Sequence, residues 1–332
     1  MKIKIILCVL AITVFIKNGL ADISLLGVGF DSTRQLYKEY NKYFKNMWFE
    51  TKGEKLNVFQ SYGGSGKQAR SVSEGLEADV VSFATAYDLD FLVKKGVITD
   101  KSWEEKFPHK STPFFSTVVF VVRKGNPKKI YDWDDLLKDD ITIITPNPKT
   151  SGGAKWNYLA AYGYALITTK DEKVAKNFVK KIYSKVPVLD SGSRGAVINF
   201  TKKGLGDVLI TWESEAYLIV NNVGRNKFEI VAPSISVLAE PKIALIQKNA
   251  QKKGVERVAL EYLKNMYSRS GQKIAVKNYF RPTDKEFYHN SEIQFPDIRL
   301  FHVQDIFGNW SDIQNTHFSD GGIFDEIYNI GG

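Results

Sequence analysis

Apolar residues along this chain fall into short β-branched runs, each followed by a polar turn and then by apolar positions at helical spacing. Asp22 to Phe30 is the first run, Asp31-Ser32-Thr33-Arg34 its turn, and Leu36, Tyr40, Tyr43 or Phe44, and Met47 mark the helix face beyond it. The pattern repeats with a strand over Lys55 to Gln60, a turn over Ser61 to Lys67, and Ala69, Val72 and Leu76 on the next helix. Asp79 to Phe83 predicts a third strand, with a helix from about Tyr87 to Lys95. Ser116 to Arg123 is a longer strand between two such series and reads as a crossing between lobes.

The second series opens with Ile141 to Ile144 and the turn Asn147-Pro148-Lys149-Thr150-Ser151-Gly152-Gly153-Ala154. Trp156, Leu159, Ala160, Gly163 and Leu166-Ile167 then keep helical spacing. Val186 to Leu189 leads into Asp190-Ser191-Gly192-Ser193-Arg194-Gly195 and a helix carrying Val197 and Phe200. Asp207 to Thr211 predicts a strand with Trp212 at its end, before a helix over Glu213 to Val220. Phe228 to Val231 and Pro241 to Gln247 carry the chain back, helices are expected over about 251–268 and 270–280, and the stretch after Arg281 is turn-rich and aromatic.

Five expected strand ends carry the candidate chemistry: Asp31, Ser65, Ser151-Gly152-Gly153, Ser193 and Trp212. In open α/β sheets, ligands bind beyond the carboxyl ends of strands. Four of these residues open helices, whose first N–H groups have no intrahelical acceptor and whose dipole favours negative charge. Glycines at such a start leave no Cβ in a ligand's way. Trp212 adds an indole N–H, which donates and cannot accept. Any one of these turns alone is most simply an N-cap; their repetition points to a socket for a small oxyanion.

Composition narrows the class. Residues 1 to 21 have the form of a secretory signal: Lys2 and Lys4, an apolar core from Ile5 to Ile16, and Gly19-Leu20-Ala21 before a cleavage point. Removing 21 of 332 residues leaves 311, room for two domains, and the only cysteine, Cys8, leaves with them. The net charge falls from +9 to +6, because Lys2, Lys4 and Lys17 leave and no acid does. Lysine pairs are scattered among acids with no basic, aromatic-interleaved stripe, which argues against nucleic-acid binding. The Ser61 to Gln68 turn imitates a phosphate loop but has Ser61 and Gln68 where a first glycine and a magnesium-binding hydroxyl belong. His109, His289, His302 and His317 have no metal-ligand spacing, and no G-x-S-x-G elbow is present. Lys67, Lys155 and Arg194 lie near the turns and are read as pointing outward or pairing with acids, Arg194 with Asp88 or Asp79. A periplasmic hydrolase using Ser65 or Ser151 is the alternative from a different class.

The chain resembles the periplasmic sulfate-binding proteins that feed ABC importers, over Asp22 to about Tyr328. The resemblance rests on Tyr62-Gly63-Gly64-Ser65-Gly66-Lys67-Gln68, Val122-Arg123-Lys124-Gly125-Asn126-Pro127, Thr145 to Ala154, Leu189 to Gly195 and Gly206 to Glu213, in that order. It implies an α/β, two-lobed periplasmic binding protein fold of type II that closes over dehydrated sulfate in the interlobe cleft. Lobe 1 would hold 22–118 plus 240–282 and lobe 2 119–239, with a tail over 283–332 bracing them. It further implies a monomeric receptor without cofactor or catalysis, whose partner is the membrane permease of an ABC importer. Carried over, Asp31, Gly152, Gly153 and Ser193 would donate backbone N–H groups. Ser65 would give N–H and hydroxyl, Ser151 its hydroxyl, and Trp212 its indole N–H. Ser193 stands where relatives often have alanine. Thiosulfate-binding relatives tend to lack the indole and to be bulkier at the Gly153 position, so sulfate is expected first and thiosulfate second. None of the proposed donors titrates between about pH 5 and 8, so binding is expected to be nearly flat there.

Overall fold

The computed structural model describes residues 22–284, 287 and 293–328. The signal-like segment, Cys8 and His289 lie outside the described residues. In chain order the strands are β1 (Ile23–Phe30), β2 (Leu56–Gly63), β3 (Val80–Phe83), β4 (Phe114–Phe115), β5 (Val118–Arg123) and β6 (Ile143–Ile144). Then come β7 (Val208–Trp212), β8 (Phe228–Val231), β9 (Ile235–Val237), β10 (Lys242–Leu245), β11 (Arg281–Pro282) and β12 (Arg299–Phe301).

Two four-stranded sheets result, ordered β10-β3-β1-β2 and β6-β7-β5-β8. In the first, β1, β2 and β3 run parallel and the returning β10 is antiparallel to β3; in the second, β6 and β7 are parallel and β5 antiparallel to β7 and β8. Parallel strands need helices on their faces. The Arg34–Lys52 helix covers the first sheet with Leu36, Tyr37, Tyr40, Phe44 and Trp48, a buried stripe at helical spacing. It stops at Gly53, whose φ of 67° suits a residue without Cβ and whose N–H bonds Phe49 O.

Both sheets belong to one two-lobed α/β fold, joined by chain crossings. Ser116 and Ala239 exchange N–H···O bonds of 3.0 and 2.9 Å, and Thr117 Oγ1 donates to Val237 O at 2.8 Å. Beside them β4 pairs with β11. The last described stretch docks rather than trails. β12 adds parallel to β9, and the Phe301 ring covers Gly163 so closely that a Cβ there would lie 2.2 Å from Phe301 Cζ. Trp310 meets Trp156 edge-on at 5.0 Å, and Lys149 reaches Asp325 at 2.7 Å and Asp320 at 3.0 Å.

Several boundaries differ from the expected ones. The helices expected at 251–268 and 270–280 are three, Gln247–Lys252, Glu256–Asn265 and Arg269–Lys277, because Gly254 adopts φ 68° and breaks the first. The strand expected over Val186 to Leu189 does not form; Asn147 N–H bonds Asp190 O at 2.8 Å, too sparse for a ladder. Ser193 therefore opens its helix from a loop, not from a strand end as expected.

Candidate functional site

The carboxyl ends of β1 and β2 point Asp31 and Ser65 toward Ser151, Gly152, Gly153, Ser193 and Trp212 of the other sheet's turns. Ser65 opens the Ser65–Ser73 helix, Gly152 and Gly153 open Gly152–Thr169, and Ser193 opens Ser193–Thr201, so their N–H groups are the orphan donors of helix starts. Glycine contacts measure the approach. A Cβ built on Gly152 would lie 2.8 Å from Ser65 Cβ, and one on Gly192 would lie 3.1 Å from Asp31 Oδ2. One on Gly153 would lie 3.1 Å from Ser193 Oγ, 3.5 Å from Trp212 Nε1 and 3.7 Å from Ser151 Oγ. All seven expected residues thus meet at the junction of the lobes.

The lobes are apposed. A Cβ on Gly64 would meet Thr150 O at 2.7 Å, and Trp156 Nε1 donates across to Ala84 O at 2.7 Å. Trp212 is accordingly buried rather than facing a wet cleft: it packs edge-on against Phe30 at 5.3 Å and donates a long 3.3 Å bond to Gly153 O.

The three serines differ in what they have left to give. Ser65 Oγ donates to Asp88 Oδ2 at 2.6 Å and accepts from Ala84 N–H at 3.0 Å, so its proton is committed. In this arrangement the Ser65 hydroxyl is turned to Asp88, and its N–H is the donor left open. Ser151 Oγ accepts from Ala154 N–H at 3.3 Å as an N-cap and keeps its proton. Ser193 Oγ makes no hydrogen bond with the described residues.

Two expected charge partners are also corrected. Asp88 is held by Ser65 and by Thr85 Oγ1 at 2.9 Å, and Asp79 is paired with Lys253 at 2.7 Å, so neither serves Arg194. Lys155 does not point outward. It is buried, donates to Gln314 Oε1 at 2.7 Å, and lies over the Tyr87 and Phe318 rings; burial lowers its pKa. Among the described residues no His/Cys/Asp/Glu group is arranged to hold a metal ion.

One carboxyl at the rim escaped notice in the sequence. Glu215, in the helix start after Trp212, is pushed up to about 7 by burial and by the Asp31 carboxylate, against a smaller pull from Arg194. A bound dianion raises that pKa further, so by linkage affinity is fully present with Glu215 protonated and declines as pH rises through about 7. The donors alone leave the expected profile flat, and Glu215 is the group that would tilt it. Anion titrations from pH 5 to 8 should show that tilt in the natural protein and not in Glu215→Gln; a slope that survives the substitution assigns it elsewhere.

The comparisons agree with this geometry. Residues 31–281 match the family described as bacterial extracellular solute-binding protein, and the chain belongs to that family. It is 52% identical over 307 residues to the sulfate-binding protein of Escherichia coli K12, covering 92% of this chain and 93% of that one. It is 47% identical over 304 residues to the thiosulfate-binding protein of Pseudomonas aeruginosa, covering 92% of each. Among solved structures, the sulfate-binding protein SubI from Mycobacterium tuberculosis H37Rv superposes with a TM-score of 0.79 at 31% identity, covering 90% of this chain and all of that one. The hydrolase alternative finds no support among relatives that are binding proteins.

Proposed function

We propose that this protein captures sulfate outside the cytoplasm and delivers it to the membrane permease of an ABC importer, with thiosulfate as a second ligand. The observation that carries the reading is that Ser193 Oγ, Trp212 Nε1 and Ser151 Oγ lie within 3.7 Å of the point a Gly153 Cβ would occupy, where the helices opening at Ser65, Gly152 and Ser193 begin. Sulfate at neutral pH only accepts hydrogen bonds, and these groups donate without titrating. Hydrogen phosphate needs an acceptor for its proton. The Asp31 carboxylate, with Oδ1 held by Arg34 at 3.3 Å, is the candidate, beside a crowd of donors that its protonated oxygen cannot satisfy. Relatives at 52% and 47% identity carry the names sulfate-binding and thiosulfate-binding. Gly153 and Trp212 are both of the sulfate type in the resemblance, and a Cβ on Gly153 would lie 3.1 Å from Ser193 Oγ and 3.5 Å from Trp212 Nε1.

The lobes are read as 22–118 plus 240–282, and 119–239, with Val118, the first residue of β5, at the crossing. The tail braces them, with its Trp310 segment packed against both Trp156 and the Ala86–Lys94 helix. Cleavage after Ala21, which N-terminal sequencing of exported protein reads directly, would release the mature chain.

Trp212→Phe tests the donor set. It keeps most of the ring volume against Phe30 and removes the N–H. Losing one hydrogen bond to a charged group costs about 1.5–3 kcal/mol, roughly a tenfold to hundredfold rise in Kd for sulfate. A melting point that falls while sulfate affinity holds would make Trp212 a packing residue only.

A further inference from the structure

The Ser193 hydroxyl stands apart from the other two at the site. Ser65 has spent its proton and one lone pair, and Ser151 caps its helix. Ser193 is the most exposed of the three, at 9% against 1% for Ser65 and 3% for Ser151, and its Oγ makes no hydrogen bond with the described residues. It is not a cap: Gly192 holds the N-cap position, and no side-chain cap bond forms there. The oxygen faces the point beside Gly153 that Trp212 Nε1 and Ser151 Oγ also face, at 3.1 Å against 3.5 and 3.7 Å. A hydroxyl that no protein group engages, standing at the mouth of a ring of donors, is free to turn its proton to whatever occupies that point.

We propose that Ser193 Oγ contacts the bound anion in its own right and tilts the site toward sulfate over thiosulfate. The inference rests on the sulfate reading above and adds a side-chain donor to the backbone N–H already assigned to Ser193. Sulfate offers four equivalent oxygens, so an extra donor meets an oxygen in any orientation. Thiosulfate replaces one oxygen by a larger sulfur that accepts hydrogen bonds weakly. In a pocket ringed by donors that sulfur must face one of them, and the side-chain hydroxyl is the donor that substitution removes without disturbing the backbone. Replacing it by a methyl group gives the sulfur an apolar wall and leaves every N–H in place.

The test is Ser193→Ala, titrated calorimetrically with sulfate and with thiosulfate beside the natural protein, with melting points recorded in anion-free buffer. The expected result is a roughly tenfold rise in Kd for sulfate, with the thiosulfate Kd within about twofold of its starting value. The preference between the two anions therefore shifts about tenfold toward thiosulfate, at an unchanged melting point. An unchanged sulfate Kd, or an equal loss for both anions, overturns the inference while leaving the sulfate reading intact. A natural protein that binds neither anion defeats both.

Discussion

Gly64→Ala is expected to weaken sulfate binding ten- to hundredfold while leaving the melting point in sulfate-free buffer almost unchanged. Gly64 has φ −60° and ψ 134°, a conformation open to any residue, so no backbone demand explains the glycine. What it meets explains it: an added Cβ would lie 2.7 Å from Thr150 O and 3.5 Å from Ser191 O, backbone atoms of the opposite lobe. The clash exists only with the lobes together, so it raises the energy of the closed form alone. Overpacking of this kind costs typically 1–3 kcal/mol, which sets the expected loss of affinity. Gly152 meets Ala84 Cβ at 2.7 Å and Ser65 Cβ at 2.8 Å, so Gly152→Ala should act in the same direction. Small-angle scattering should show sulfate compacting the natural protein and not Gly64→Ala. Equal affinity and equal compaction in both would mean that binding does not need this apposition.

Arg281→Met should produce the largest loss of stability. Glu213 is fully buried directly after Trp212, and its carboxylate takes two bonds from Arg281, at 2.6 and 2.8 Å. Burial raises the Glu213 pKa and the guanidinium opposes that rise. Breaking a buried pair by removing one partner costs about 3–5 kcal/mol, because the remaining charge is stranded. In a chain of this size that corresponds to a fall in Tm of roughly 5–8 °C. The double substitution Glu213→Gln with Arg281→Met should recover much of it. The pair also fixes the site: Glu213 N–H bonds Thr117 O at 2.8 Å, tying the turn after Trp212 to the interlobe crossing. Thermal melts of the single and double variants decide the matter; a single variant as stable as the natural protein would show that Glu213 is relieved by water or by protonation.

The sequence revealed the socket where a local signal existed. A polar turn followed by apolar residues at helical spacing marks a helix start, and a helix start has free N–H groups wherever it lies. Asp31, Ser65 and Ser151 to Gly153 were therefore legible one turn at a time. What the chain did not reveal are relations across space. Asp88 claims the Ser65 proton from 23 residues away, and Arg281 reaches Glu213 across 68. Gly64 read as one glycine of a phosphate-loop imitation, whereas its missing Cβ matters to a carbonyl in the other lobe. Glu215 sat among ordinary helix-start acids until the fold placed Asp31 opposite it. Ser193 was expected after a strand, but residues 188–190 had only scattered bonds to offer. The aromatic tail gave no local sign of its docking site, because Gly163 is read as a small helical residue until Phe301 is seen lying on it.

The most direct measurement is a calorimetric titration of the natural protein at pH 7 with sulfate, followed by thiosulfate, phosphate and molybdate under the same conditions. The account predicts one sulfate per chain with a Kd of about 1 μM or below, equivalent to about −8 kcal/mol or better. Thiosulfate should bind more weakly, and phosphate and molybdate weakest, since one brings a proton that the donors cannot accept and the other is too large for the space beside Gly153. Absence of sulfate binding, or phosphate or molybdate binding as tightly as sulfate, would contradict a cleft of neutral donors fitted to the proton-free sulfate dianion.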